Sequence, residues 1–311
     1  MSEPKPVTKP ESKSTSKPEP IIDAHHHIWR LAETAWLNGP PVKRIFGDYE
    51  PIRKDYLAAD FMADVVPNGV VKSVYMQVNV APGKEIDEAK WVQSEADRVG
   101  FPHALSSYAN LFQDNVGEVL DQLIACSNTK AIRQQIHWHE NPQYRFADRP
   151  DVMNDPAWRR GLKEIEKRKL IFELQVFSHQ MENALKLARK FPDTTFILLH
   201  CGMLQDTSAA GVAAWRKGMK GLSTCPNVMV KISGIGTFER ACREETWRPI
   251  IEHTIELFGA ARCLYGSNFP IEGMWTSYAN LISVVKACLS RCSHAEQRAV
   301  LHDTAARLYG L

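Results

Sequence analysis

Ile21-Ile-Asp-Ala-His-His-His-Ile-Trp29 is a short apolar run that passes into three consecutive histidines. Its first residues suit a buried strand. Its last carry side chains able to bind metals or move protons near neutral pH. Successive side chains on a strand face opposite ways. Asp23, His25 and His27 are therefore expected on one face, with Ile22, Ala24 and His26 on the other. His25 and His27 should converge at the C-terminal end of this strand, with His26 turned into the outer layer. A first strand that ends in histidines, not in a Gly-rich loop, speaks against a doubly wound nucleotide-binding sheet.

Working outward, seven more strand-like runs follow, at 69–78, 103–111, 131–136, 170–177, 195–200, 227–232 and 262–266. Amphipathic helical patterns separate them, among them 86–99, 116–126, 156–167, 181–190, 247–258 and 278–289. One of these opens on Asn154-Asp155-Pro156, a capping Asp followed by Pro at the first helical position. Strands alternating with helices imply parallel pairing and right-handed crossovers. Eight such units in residues 20–311 predict a (β/α)8 TIM barrel. The Pro-rich stretch 31–60 and the polar, aromatic stretch 138–155 read as long βα-loop insertions over the barrel mouth. Residues 1–19 hold prolines, lysines, serines and glutamates but no apolar segment, and are expected to be a disordered tail.

Composition narrows the function. The chain has 311 residues, 44% hydrophobic and 24% charged, with a net charge of +2. That balance fits a globular protein acting on a small molecule. It does not fit a nucleic-acid or membrane-surface binder, which would carry a basic patch. No apolar run approaches bilayer length. Seven cysteines, none at C-x-x-C spacing, suggest free buried thiols in a reducing, cytoplasmic setting. A homo-oligomer is compatible with all of this.

The 11 histidines are the odd feature. His179 closes the fifth strand-like run and His200 the sixth. Strand ends of a barrel meet at one mouth, so His25, His27, His179 and His200 are expected to gather there. Arg133 follows Ile132 on the fourth strand. An inward arginine needs a partner, either a substrate carboxylate or Glu173. Trp29, Trp138, Tyr144 and Trp275 fall just after strands and are candidates for the pocket wall.

Several segments resemble the amidohydrolase-related branch of the amidohydrolase superfamily, and within it the sugar lactonases and the pyrone- and muconolactone-type lactone hydrolases. They are Ile22-Asp-Ala-His-His-His-Ile-Trp29, Ile132-Arg-Gln-Gln135, Phe172-Glu-Leu-Gln-Val-Phe-Ser-His-Gln180 and Leu199-His-Cys-Gly202. Val230-Lys-Ile-Ser-Gly234, Tyr265-Gly-Ser-Asn-Phe-Pro270 and Thr304-Ala-Ala-Arg-Leu-Tyr309 complete the set. The resemblance implies that His25 and His27 match the first-strand His-x-His, His179 the fifth-strand histidine and His200 the sixth. Where many members have Asp on the eighth strand, this chain has Asn268. An amide cannot accept the proton of an attacking water; either another group is the base, with His200, His179 and Glu272 the candidates, or the reaction is not ordinary hydrolysis.

His25, His27 and His179 could hold one divalent metal, zinc first, with an open position for water. Relatives occur both with and without a required metal, so a metal-free site is the other expectation. The leading function is a hydrolase that opens a lactone or related cyclic ester of a small organic acid. The alternative is a metal-dependent non-oxidative decarboxylase of an unsaturated or aromatic acid. A non-catalytic ligand-binding barrel is the third reading, supported by Asn268.

Overall fold

A computed structural model describes residues 19–311. All of the expected tail but Glu19 therefore lies outside the described residues. Eight strands run in the order β1 to β8: Ile21–His26, Val70–Met76, Ala104–Ser107, Thr129–Ile132, Ile171–Leu174, Phe196–Leu198, Val228–Ile232 and Cys263–Tyr265. Each pairs in parallel with the next. The ring closes just past the strands, where Asn268 N–H donates to the His25 carbonyl (2.7 Å) and His27 N–H to the Phe269 carbonyl (2.7 Å). This is the expected TIM barrel. Parallel strands need long crossovers, and helices such as Glu85–Val99, Pro156–Lys167, Met181–Lys190 and Ala209–Ser223 supply them. Asp155 caps the second of these, accepting from the N–H groups of Ala157 and Trp158.

Two apolar layers hold the barrel. Outward side chains such as Leu105, Ile132, Phe172, Leu198 and Val230 meet the helices. Inside, Ile22, Ala24, Val74, Ala104, Ala131, Ile197 and Leu264 fill the lower part, plugged by Ala305 and Tyr309 of the C-terminal helix Thr304–Tyr309. A fully buried ion pair lies among them. Lys231 Nζ donates to both Glu173 oxygens (2.8 and 2.9 Å) and contacts the Tyr309 hydroxyl (3.0 Å).

Strict alternation fails on β1. Ile22 and Ala24 face the barrel interior, not the helices. Asp23 does not share the face of His25: its carboxylate accepts from Ser267 N–H and from the Tyr278 hydroxyl of the helix Tyr278–Cys288. The pairing of β1 with β2 slips between Asp23 and His26. An extra residue of this kind re-aims the side chains beyond it, and it turns His25 and His27 to the mouth. His26 goes to the outer layer as expected, stacked on Phe61 with centroids 3.6 Å apart.

The two insertions meet over the mouth. Gln143 Nε2 in the second donates to the Arg44 carbonyl in the first (2.8 Å). Tyr56 and Trp29 exchange backbone hydrogen bonds and pin the first insertion to the end of β1. All seven cysteines are free thiols, five of them buried. Among the described residues no helix is long and apolar enough to cross a membrane.

Candidate active site

Three imidazoles from β1 and β6 gather at the C-terminal ends of the strands. The His25 ring lies 5.2 Å from that of His27 and 4.8 Å from that of His200. His25 is fully buried, and neither ring nitrogen has a partner. His200 follows β6 in a tight turn with positive φ, and its Nδ1 lies 2.9 Å from Ser233 Oγ. Gly234 makes room for this ring: a Cβ there would stand 2.4 Å from His200 Nδ1.

His27 has a definite tautomer. Its Nδ1 is 2.8 Å from the Met76 carbonyl, which can only accept, so Nδ1 carries the proton. Burial, followed by the positive charge of Arg133, pushes its pKa down to about 3. The neutral ring therefore has a free lone pair on Nε2, which lies on the Asn268 side, 3.4 Å from Oδ1. Burial also holds His25 and His200 well below the usual histidine range, helped at His25 by His200 and at His200 by Arg133. The cluster is three neutral imidazoles.

Above it lies a pocket of about 230 Å³. No Asp or Glu is among the described residues that line it, whereas Lys43, Arg44, Arg133 and Arg145 all do. Arg133 is the deepest of the four and almost fully buried. One guanidinium nitrogen donates to the Gln77 carbonyl (2.5 Å), and Nε has no partner. Burial lowers its pKa to about 10, opposed by Glu173 and Glu88, so it stays cationic at neutral pH. It does not pair with Glu173, which Lys231 takes instead. Asn79 Nδ2 donates to Gln135 Oε1 (2.6 Å) and Gln135 Nε2 to Gln175 Oε1 (3.4 Å), which lines one wall with neutral amides. Arg44 stacks on Trp36, 5.1 Å from the ring centre, and belongs to the roof.

Asn268 sits at φ 59°, a conformation that asparagine tolerates better than most residues. Its side chain reaches the pocket. Behind it Glu272 is fully buried. Glu272 Oε2 accepts from Trp275 Nε1 (2.7 Å), and Oε1 lacks a partner. Burial pushes its pKa up to about 8, against the hydrogen-bonding pull of Trp275, Asn268 and the Gly236 backbone.

The structure thus brings together His25, His27, His200, Arg133 and Asn268, with Trp29 in the pocket wall. It leaves His179 outside. β5 ends at Leu174, and His179 lies in the turn Ser178–Gln180 with Nε2 2.8 Å from the Trp138 carbonyl. Trp138 stacks edge-on to His179, and Tyr144 packs on His139 and Phe238; neither lines the pocket. Trp275 serves Glu272 instead of a ligand. Lys43, Arg44 and Arg145 line the pocket without a sequence signal for that role, as does buried His137, whose place just after the fourth strand was its only mark. The place of the first three on the two segments read as insertions could have pointed to them.

The donor set does not fit the expected dication. His25, with two free ring nitrogens, would accept one. The third expected ligand, His179, is turned away. Position 268 brings no charge, and Arg133 stands in the wall. His25, His27 and His200 lie side by side, but among the described residues no group of three or more His, Cys, Asp or Glu is spaced to hold a metal ion.

Comparisons with known proteins agree with this architecture. The family model described as Amidohydrolase matches residues 22–311. An uncharacterized protein, y4mH, of Sinorhizobium fredii is 38% identical over 291 residues, covering 93% of this chain and 98% of that one. An L-fucono-1,5-lactonase of Burkholderia multivorans is 27% identical over 304 residues, covering 93% and 96%. A crystal structure of a zinc-bound amidohydrolase from Burkholderia multivorans superposes with a TM-score of 0.80 at 22% identity, covering 94% of this chain and all of that one.

Proposed function

The chain belongs to the amidohydrolase family, and on that premise we propose that it is a hydrolase that opens a lactone, or related cyclic ester, bearing at least one carboxylate. The observation that carries this reading is the pairing of Arg133 with His27. A buried guanidinium with an unused N–H and a neutral imidazole whose lone pair is free line the same pocket.

The cationic mouth concentrates anions, and a substrate carboxylate would satisfy Arg133. Neutralising Arg133 removes one of the two main causes that depress His27. His27 Nε2 then takes a proton from water as the hydroxyl adds to the acyl carbon. His200, with Ser233 donating to Nδ1, presents an Nε2–H to the developing oxyanion. As the ring C–O bond breaks, the imidazolium of His27 returns the proton to the leaving oxygen. The product is a hydroxy acid, and one proton enters solution when its new carboxyl ionises. The lactonase-named relative supports the reaction class. A decarboxylase on the same barrel would need a tightly held metal, and the donor set here does not favour one.

The test is a panel of carboxylated and neutral lactones, followed by proton release with and without chelator. Ring opening that favours carboxylated lactones supports the reading. Carbon dioxide release from a carboxylic acid favours the decarboxylase. Binding without turnover favours the non-catalytic barrel.

A further inference from the structure

His200 stands in an unusual piece of backbone. His200, Cys201, Gly202 and Met203 all have positive φ, at 56°, 49°, 72° and 51°. A side chain makes that left-handed region costly, and it is normally visited by single residues, not by runs. The other positive-φ residues with side chains among those described, Asn79, Lys169, Arg240 and Asn268, stand singly. Glycine accounts for one of the four positions, where a Cβ would also lie 2.3 Å from Met181 Cε. The other three persist only if their surroundings hold them.

The turn closes on itself through Gly202 N–H to the Leu199 carbonyl and Met203 N–H to the His200 carbonyl, both 2.9 Å. The Cys201 carbonyl is taken from outside the turn, by the indole Nε1–H of Trp215 at 2.7 Å. Trp215 lies on the helix Ala209–Ser223 and is buried. Cys201 is equally buried, with Sγ 3.9 Å from the Lys231 carbonyl of β7. A carbonyl at this depth needs a donor, and one left unpaired would favour a different backbone path. The effect reaches the pocket, because His200 and Met203 both line it and Trp215 does not.

We propose that Trp215 is a positioning residue: by holding the Cys201 carbonyl, its indole N–H keeps the left-handed turn closed and so aims the His200 ring at the pocket. The kinetic consequence rests on the hydrolase reading, in which His200 donates to the developing oxyanion. A misaimed donor is missed most in the transition state, so kcat carries the effect and KM does not.

Two versions of the full chain test this. Trp215→Phe removes the N–H and part of the ring; benzothienylalanine at the same position keeps the bicyclic shape and removes the N–H alone. Well below the melting temperature, both should lower kcat about ten-fold or more with KM within about two-fold. Amide hydrogen exchange over residues 199–204 should quicken about ten-fold or more, while β7 and the helix Met181–Lys190 keep wild-type protection. An unchanged kcat in the benzothienylalanine protein overturns the proposal, as does turn exchange at the wild-type rate. A rise in KM alone overturns it too, since Trp215 would then shape only the wall at Met203. If no lactone is hydrolysed, the function reading fails, and the exchange rates still decide whether the indole N–H holds the turn.

Discussion

Arg133→Met should cripple turnover and leave the protein at least as stable. The guanidinium is nearly inaccessible, one nitrogen reaches the Gln77 carbonyl at 2.5 Å, and Nε has no partner. The neighbouring acid that could neutralise it, Glu173, is held by Lys231 and Tyr309. A methionine fills similar space with no charge to desolvate. Exchanging poorly compensated buried ions for apolar side chains ranges from neutral to about 1–4 kcal/mol more stable. Binding should change in the opposite direction. Losing a charge-assisted contact to a substrate carboxylate in a desolvated site costs about 2–5 kcal/mol. That is about thirty-fold to several-thousand-fold in kcat/KM. The loss should fall on carboxylated lactones and spare neutral ones. Initial rates on matched lactones, with calorimetric melting of both proteins, measure the two effects separately. Unchanged kcat/KM on carboxylated lactones would refute the docking role. A large fall in melting temperature would refute the claim that Arg133 is kept for function and not for the fold.

Three further outcomes follow from the same geometry. His27→Gln keeps the ring's approximate size but cannot accept a proton, so kcat should fall by about 10²–10⁴-fold with little change in melting temperature. Exhaustive dialysis against a chelator should leave kcat unchanged, with bound metal followed by elemental analysis; a proportional loss of both would restore the metal-dependent reading. Stability against pH should also register Glu272. Its acid is raised from 4.5 to about 8 in the fold, so below 4.5 it is neutral in folded and unfolded chains alike. Above that the unfolded chain ionises first, and the stability held by the neutral acid is lost as pH rises to about 8. Wild type should lose melting temperature over that window relative to E272Q; parallel curves would contradict the assignment.

The barrel was legible because its evidence is repeated eight times. Several helix bounds agree closely, and Pro156–Lys167 and Met181–Lys190 match to the residue, since capping and hydrophobic periodicity are local. The strand lengths were overread. Phe172–His179 reads as one β run, but β5 stops at Leu174 and the chain curls into the Ser178–Gln180 turn. Counting strand residues therefore carried His179 to the mouth when its ring had already turned to the Trp138 carbonyl. The opposite happened at β1. Period-two alternation placed His25 and His27 together, and the structure does so as well, but by a register slip that sends Asp23 the other way. A slip of this kind has no local sequence signature. The departure at Asn268 was visible, whereas the burial of Glu272 against Trp275 and Gly236 depends on how the segment after β8 folds back. The cationic roof was the least legible feature, because Lys43, Arg44 and Arg145 lie in irregular loops whose contacts are entirely tertiary.

The most direct test of the whole account is a pH-stat measurement of the chelator-treated protein with a carboxylated lactone, run beside a carbon dioxide assay. The account predicts one proton released per ring opened, no carbon dioxide, and saturation at lower substrate concentration than for the matched neutral lactone. Carbon dioxide evolution, or hydrolysis that appears only when a divalent metal is restored, would contradict it.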